Sequence, residues 1–426
     1  MVSDPSGVFC LEAEHPSRDI FGRSARTLLE HHIILGVTSS ISLYRSLDLA
    51  RELMRRGAEV YPVISPKAAK LISPEMWRWA TGNKPYVRFG GELGHIALAR
   101  RASGMVIAPA TANTIAKIAY GIADTSVTLT AQVMIGMGKR VIIVPAMHEP
   151  MYRSKPLEEA LRRCAEMGVS VLPPVIEEGK AKIPNISFIA DKVEATILRG
   201  EDLRGVKILV TAGPTREHLD PVRFLSNPSS GKMGVAIASE AFYRGASPIL
   251  IHGSVSVPIP PWLRTIEITS TEEMLRAVEA SIEKEKPESI VLAAAPVDFR
   301  FSVKESLKIP SEKGAPEVKL ELTPKIAEYV RKKAPNSLII GFAAETTDSE
   351  EELVEKAYRK LKKYGFDYVM ANYVGKPGTG FGYDTDEGLI IDSSGKILFK
   401  GYMLKREWAR IIVDIIARVS GRGREI

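Results

Sequence analysis

What the chain lacks narrows its identity first. Two cysteines, Cys10 and Cys164, in 426 residues cannot form a disulfide framework, which fits a reducing compartment and sets the expectation of a cytoplasmic protein. No apolar run approaches the roughly 18 residues of a membrane helix; the longest uncharged apolar stretch is Ser289 to Val297. The first residues carry Asp4, Glu12 and Glu14 and show no apolar segment of a signal peptide, so none is expected. Charge of one sign is also scarce. Lys and Arg number 58 against 51 Asp and Glu, a net of +7, and the densest group (Arg359, Lys360, Lys362, Lys363) falls on one expected helix. Scattered charge of this kind argues against a nucleic-acid track and for anionic small molecules. Glutamine is nearly missing, with Gln132 alone amid abundant Glu and Lys, a bias found in some heat-adapted proteins.

What is present is a globular composition, 45% hydrophobic and 26% charged, long enough for two or three domains at roughly 100 to 200 residues each. Short β-branched runs alternate with helical-period segments, the signature of parallel α/β layers. Strands are expected at 32–35, 59–64, 104–108, 140–145 and 169–172, with an amphipathic helix over 42–56. After a charged, Gly-punctuated linker at 199–205 the rhythm restarts, with strands at 206–211, 247–252, 265–268, 289–293, 338–342 and 368–372. Capping boxes Ser270-x-x-Glu273 and Ser349-x-x-Glu352 announce two helices. A two-stranded tail (388–391, 397–400) and a final helix follow. The fold class read from this is α/β: two doubly wound parallel-sheet domains in tandem, flavodoxin-like over 31–198 and Rossmann-like over 206–426, after an N-terminal extension, 1–30, with no assigned role.

Ligands of doubly wound sheets bind beyond the carboxyl ends of the strands, so the loops there carry the functional inference. The first is Gly36-Val-Thr38-Ser39-Ser40, small and hydroxylated, opening a helix that can hold a phosphate on backbone N–H groups. It is not G-x-G-x-x-G, so the dinucleotide fingerprint is absent. After the third strand comes Ala108-Pro-Ala-Thr111-Ala112-Asn113, with room for a flat ring and hydrogen bonds for its edge. After the fourth comes Pro145-Ala-Met-His148-Glu-Pro-Met-Tyr152, and His95 opens an amphipathic helix upstream. Each loop also has a plain structural reading: a tight turn, a close-packed helix start, a core histidine.

These blocks resemble the flavin-containing cysteine decarboxylases. The second half resembles phosphopantothenate–cysteine ligases, through Thr211-Ala-Gly213-Pro-Thr215-Arg-Glu217, Asp220-Pro-Val-Arg223, Ser226-Asn227-Pro-Ser229-Ser230-Gly231-Lys232-Met-Gly234 and Gly341-Phe342-Ala-Ala-Glu345. Joined in this order they resemble the bifunctional coenzyme A biosynthesis family from about residue 30 onward.

The resemblance implies FMN in the first half, contacted by Gly36, Thr38, Ser39, Ser40, Ser65, Ala108, Thr111, Ala112 and Asn113. The flavin transiently oxidises the thiol of 4'-phosphopantothenoylcysteine so that CO2 can leave, giving 4'-phosphopantetheine. His95 matches the active-site histidine. His148 stands where the family has Asn and Tyr152 where it has Trp. The flap cysteine of bacterial members is missing, since the region reads Ile176-Glu-Glu-Gly-Lys180-Ala-Lys182-Ile-Pro184, and Cys164 lies too early to replace it. Lys180 or Lys182 is a candidate for the substrate phosphate.

For the second half the resemblance implies ligation of 4'-phosphopantothenate to cysteine through an acyl nucleotide, with CTP as cosubstrate, ATP as the alternative, and Mg2+. Asn227 matches the residue that assists the second half-reaction and Lys308 the triphosphate lysine. Asp298, in Ala293-Ala294-Ala-Pro-Val-Asp298, matches the nucleotide and metal-site aspartate. Gly213, Thr215, Arg223, Ser229, Ser230, Gly231, Lys232, Ala294, Lys325, Phe342, Lys360 and Tyr364 complete the expected nucleotide and substrate set. Thr323-Pro-Lys325-Ile326 departs from the bacterial Asn-Pro-Asp-Ile, which loosens the CTP assignment. The family also implies homo-oligomers, trimers of the flavin half and dimers of the ligase half. Two other readings stay open: a flavin- or nicotinamide-dependent oxidoreductase, against which stand the missing fingerprint and the lack of an acidic ribose partner, and a ligase or nucleotide-binding module with an inactive flavin half.

Overall fold

The computed structural model describes residues 15–91 and 93–422; Cys10 lies outside them. The chain divides into two compact units, Met1–Gly200 and Glu201–Ile426.

In the first unit the strands are β1 (His32–Val37), β2 (Glu59–Ile64), β3 (Gly104–Ala110), β4 (Arg140–Pro145), β5 (Met147–His148), β6 (Ser170–Val171), β7 (Val175–Glu177) and β8 (Lys180–Lys182). Five of them form a parallel sheet in the order β2-β1-β3-β4-β6. β3 is buried along its whole length, as expected for a sheet covered on both faces. On one face Ile34, Val63, Met105, Ile107 and Ile143 pack with Leu98, Ile115, Val127 and Leu157 from the helices. The helix Arg45–Arg55 forms because Leu49, Leu53 and Met54 recur on one side, and these are the buried positions. Its preceding turn, Ile41–Tyr44, is a 3-10 turn rather than the start of the α-helix.

Residues 15–30 have a clear structural task. The last carbonyls of a helix lack internal donors, and here Gly22 N–H donates to Met54 O, Ser24 and Ala25 N–H to Arg55 O, and Leu28 N–H to Arg56 O. Leu28 is fully buried and Arg18 pairs with Glu59 at 2.8 Å. The segment therefore caps the helix Arg45–Arg55. The buried Arg56 guanidinium is held by Asp191 at 2.7 Å and Glu194 at 2.9 Å, which ties that helix to the helix Ile186–Leu198.

In the second unit the strands are β9 (Lys207–Ala212), β10 (Arg216–His218), β11 (Phe224–Ser226), β12 (Ser247–His252), β13 (Arg264–Glu267), β14 (Ser289–Leu292), β15 (Phe299–Phe301), β16 (Leu320–Leu322), β17 (Leu338–Glu345), β18 (Tyr368–Tyr373), β19 (Thr385–Asp392) and β20 (Ile397–Leu404). Eight form one sheet, β13-β12-β9-β14-β17-β18-β19-β20. It is parallel from β13 through β18, and β19 and β20 join antiparallel. The expected two-stranded tail is thus part of the main sheet, and its first strand begins three residues earlier than the apolar run suggests. The chain steps outward from β9 to β13 on one side, then to β14 and β18 on the other, which places the topological switch between β9 and β14.

The box at Ser270 and Glu273 forms in full. At Ser349 only half forms: Ser349 Oγ accepts from Glu352 N, while Thr347 Oγ1 takes the Glu352 carboxylate. Three small sheets, β5-β8-β7, β10-β11 and β15-β16, have strands of two or three residues, too short to show a period. Within 199–205, Leu203 is fully buried in the second unit's core and Asp202 grips Arg244 at 2.5 and 2.8 Å. Leu203→Ala should lower the unfolding free energy of the second unit by about 3 kcal/mol, as large-to-small core changes do, read as a shift in its denaturant midpoint with the first unit's transition unmoved.

Candidate functional site

In the first unit, parallel strands bring the loops after β1, β2, β3 and β4 to one edge. Thr38 is buried, and its hydroxyl donates to Pro109 O at 2.7 Å while accepting from Thr111 N–H at 3.1 Å. It fastens the loop after β1 to the loop after β3 and is committed to that task. Ser46 Oγ reaches Ala108 O at 2.7 Å across the same gap. Ser39, Ser40, Thr111 and Ala112 are partly open, and Asn113 is exposed. Ser65 is buried and caps the following turn by accepting from Ala68 N–H.

Two expected residues turn out to be packing positions. Gly36 lies inside β1, where a Cβ would come within 2.9 Å of Met105 Cε and 3.2 Å of Val127 Cγ1. The glycine is there for helix and sheet to close. Ala108 is likewise buried within β3.

His95 sits in the first turn of the helix Gly94–Arg101, its ring 5.3 Å from that of Phe89, which stacks on Tyr86. Its Nδ1 is buried without a hydrogen-bond partner, a cost that a ligand donor or acceptor would remove. His148 is exposed at the end of β5, directly across from Lys180 of β8. The hairpin β7-β8 is tied back by Arg45 Nη1, which donates to Ile183 O at 3.0 Å. Lys182 is held by Glu177 at 3.0 Å and Glu178 at 2.6 Å, so of the two candidate lysines Lys180 is the one paired with His148 across the ladder. Cys164 is fully buried, and burial pushes its thiol up to about 11, which leaves it no part in proton transfer.

In the second unit the switch point opens into two hollows. The first, about 360 Å³, is lined by Asn227, Ser229, Ser230, Gly231 and Lys232 at the start of the helix Lys232–Tyr243, by Ala293–Ala295 and Asp298 after β14, and by Phe342 and Lys360. Gly231 has φ +74°, and a Cβ there would strike Val255 Cγ1 at 2.3 Å; only glycine lets the helix begin so close to the loop. A twelve-residue helix starting at such a wall presents free N–H groups to an anion. The second hollow, about 270 Å³, sets Met274, Leu292, Val297, Ile326, Phe366 and Tyr364 beside Asp298, Lys325 and Lys360. Ala294, Asp298, Phe342 and Lys360 border both.

Asn227 braces this wall, donating from Nδ2 to Ala295 O at 3.2 Å and Pro296 O at 3.0 Å. Lys360 pairs with Glu345 at 2.8 Å and Lys232 with Asp384 at 2.6 Å. Asp298 is engaged by Lys325, and no group of three His, Cys, Asp or Glu that could hold a metal exists among the described residues. The residues present do not fit a protein-held Mg2+ at Asp298.

Four expected residues lie off both walls. Gly213 is buried and its carbonyl accepts from Ala295 N–H at 2.9 Å. Thr215 is fully buried, its hydroxyl shared between Thr271 Oγ1 and Val297 N–H. Arg223 is spent on Asp220 at 2.6 Å and on Ile309 O. Lys308 is exposed on the loop that these contacts anchor. Conversely, Asn372, Gly380, Phe381, Asp386 and Lys405 line the first hollow and were not anticipated. Asp386 is buried and accepts from Asn372 Nδ2, Thr379 Oγ1 and Gly380 N–H. Burial pushes its carboxyl up and the Lys405 ammonium down. The available signal was four glycines in eight residues, Gly375, Gly378, Gly380 and Gly382, all at positive φ.

Burial alone would raise the Asp220 carboxyl, but the N–H groups of Arg223, Val222 and Ile309 and the Arg223 guanidinium outweigh it and hold it down at about 2. A depressed carboxyl contributes stability above its unfolded value near 4 and loses it as pH falls through about 2. Acidification across that window should lower the protection factor of the Ile309 amide against hydrogen exchange, and Asp220→Asn should make that protection factor independent of pH.

A family model described as Flavoprotein matches residues 22–198, and one described as DNA/pantothenate metabolism flavoprotein C-terminal domain matches residues 203–419. The chain is similar to the coenzyme A biosynthesis bifunctional protein CoaBC of Thermococcus kodakarensis, 40% identical over 413 residues, 95% of this chain and 99% of that one. The CoaBC of Methanocaldococcus jannaschii is 35% identical over 374 residues, 87% and 91% of the two chains. A solved C-terminal domain of a CoaBC protein is 31% identical with a TM-score of 0.44, covering 52% of this chain and 98% of that one.

Proposed function

Because the chain belongs to the CoaBC family of bifunctional coenzyme A biosynthesis proteins, we propose how its two activities are divided between the two units. It is a phosphopantothenate–cysteine ligase and a phosphopantothenoylcysteine decarboxylase. The second unit, residues 206–426, ligates 4'-phosphopantothenate to cysteine; the first, 31–198, decarboxylates the product to 4'-phosphopantetheine. The enzyme works in the cytoplasm as a homo-oligomer.

The observation that carries the ligase reading is the double hollow at the switch point, with a helix N-terminus and lysines on one part and, on the other, apolar side chains beside Lys325 and Lys360. A carboxylate is a poor electrophile and must first become an acyl nucleotide. The N–H groups and hydroxyls at Ser229–Gly231 and the ammonium groups of Lys232 and Lys360 suit the phosphates, stabilising the charge that develops on departing pyrophosphate. The second hollow, with Phe342 and Ile326, suits the base, with CTP as cosubstrate and ATP as the alternative. Asn227 is a positioning residue: its amide holds the loop after β14 against the loop that opens the phosphate helix. Asn227→Asp would set a carboxylate against two carbonyl oxygens and displace that wall. About a 100-fold loss in the second half-reaction is expected for such a misplacement, with the acyl nucleotide accumulating and detectable by mass spectrometry; normal turnover would remove Asn227 from the site. Pyrophosphate release measured with CTP and ATP in parallel identifies the nucleotide.

In the first unit the residues present suit FMN. The open Ser39–Ser40 turn meets a phosphate, the Thr111–Asn113 block lies at the same edge, and the orphaned His95 nitrogen awaits a partner. FMN, when bound, accepts and returns the electron pair that makes loss of CO2 feasible. His95 holds or moves the proton at the substrate, and His148 with Lys180 opposite offers cationic and hydrogen-bonding partners to its carboxylate and phosphate. His95→Asn should lower CO2 release by about 100-fold or more, the usual weight of a proton-transfer group, while pyrophosphate release by the same preparation stays unchanged. Equal loss of both activities in a folded, yellow protein would contradict two separate sites.

A further inference from the structure

One buried acid in the second unit is left half used by the contacts around it. Asp386, on β19, lines the first hollow with its side chain only 5% exposed. Its Oδ1 accepts three hydrogen bonds, from Asn372 Nδ2 at 3.0 Å, Thr379 Oγ1 at 3.0 Å and Gly380 N–H at 3.1 Å. Oδ2 accepts none among the described residues. The cation beside it, Lys405 Nζ, stands 4.0 Å away and donates instead to Gly380 O at 2.7 Å and Tyr383 O at 2.8 Å. The backbone leaves little room to adjust, since Asp386 O accepts from Trp408 Nε1 at 3.0 Å. The other lysines of the hollow are taken, Lys232 by Asp384 and Lys360 by Glu345. A carboxylate oxygen drawn out of water without a donor is costly, so the hollow calls for a ligand donor at Oδ2. No three His, Cys, Asp or Glu gather there to hold a metal among the described residues.

Charge identifies the donor among the reactants of the ligation. Phosphopantothenate and the nucleotide arrive as anions, and only cysteine brings a cation, its α-ammonium. That ammonium must give up a proton before its nitrogen can attack. The acyl phosphate it attacks is bound, in the proposed site, beside Ser229–Gly231 of the same hollow. We propose that Asp386 Oδ2 receives the ammonium of cysteine and takes its proton. One N–H proton passes to the carboxylate, and the freed lone pair forms the C–N bond to the acyl carbon. The bond from that carbon to the phosphate oxygen breaks, and the nucleoside monophosphate departs with the electron pair and with the proton shed as the amide forms. Burial pushes the Asp386 carboxyl up, which makes it a better proton acceptor than a free carboxylate, while Lys405 opposes that rise and favours the ionised form. The proposal rests on reading the cleft as the seat of an acyl nucleotide.

The test separates the two half-reactions in the full flavin-loaded chain. Phosphopantothenate with CTP or ATP, and no cysteine, forms the acyl nucleotide, followed as pyrophosphate; cysteine or hydroxylamine is then added. Hydroxylamine is uncharged near neutral pH and has no proton to lose before it attacks. Asp386→Asn keeps the oxygen to which Thr379 and Gly380 donate and removes the charge. The variant should release pyrophosphate as the wild type does, form the amide with cysteine about 100-fold more slowly, the weight of a proton-transfer group, and form the hydroxamate at the wild-type rate. Equal slowing with both nucleophiles, an unchanged rate with cysteine, or loss of pyrophosphate release in the variant would make Asp386 a brace of the glycine-rich loop and overturn the proposal. A wild type that releases no pyrophosphate from either nucleotide until cysteine is added would instead overturn the acyl-nucleotide reading on which the proposal stands.

Discussion

Parallel strands buried on both faces leave a protein few places to be polar, and that constraint governs both halves of this chain. Interior positions of β1, β3 and β9 must be apolar, and their backbone groups are consumed in the ladders. Helices return antiparallel to the strands, so their N-termini gather at the carboxyl edge with free N–H groups. The proposed sites lie there: at Ser39–Ser40, Thr111–Asn113 and His148 in the first unit, and at Ser229–Lys232 and Ala293–Asp298 in the second. The 2-1-3-4 opening of one sheet and the switch between β9 and β14 in the other set which loops face each other.

Holding those loops apart and in register is the work of side chains whose polar atoms are bonded to the backbone of neighbouring loops. Thr38 and Ser46 pin the loop after β1 to β3 through two carbonyls of the Ala108–Pro109 segment. Thr215 does the same in the second unit, linking the loop after β9 to Thr271 and to Val297, and Asp220 gathers three backbone N–H groups and a guanidinium. A short hydroxyl or a buried carboxylate can satisfy several backbone donors where a helix or ladder cannot. In the second cleft each lysine is balanced locally by a carboxylate.

The order and type of the main strands were legible because β-branched runs and helical periods are properties of contiguous residues. β2, β4 and β12 begin and end where the residue pattern changes. The ends of β3, β17 and β19 were not legible, because a strand continues as long as its neighbour offers partners, and Ala343, Ala344 and Asp386 carry no strand signal of their own. Motif residues divide along a similar line. Asn227, Ser229, Ser230, Lys232, Asp298, Phe342 and Lys360 reach the cleft wall, whereas Thr215 and Arg223, from equally recognisable blocks, are consumed in bracing it. Asp386 and Lys405 line the wall although they come from the end of the chain, behind a run of glycines whose meaning depends on what they fold against.

The sequence by itself determined the two α/β layers, the strand-end location of the chemistry and the residue types available there, since each follows from local periodicity and the handful of turns that permit it. Only the tertiary structure decided which polar groups face a ligand and which are spent on the backbone, that Gly36 serves packing, and that Lys325 rests on Asp298. Those outcomes depend on which atoms meet across gaps of tens of residues, where a hydrogen bond or an ion pair is won by the nearest partner in space.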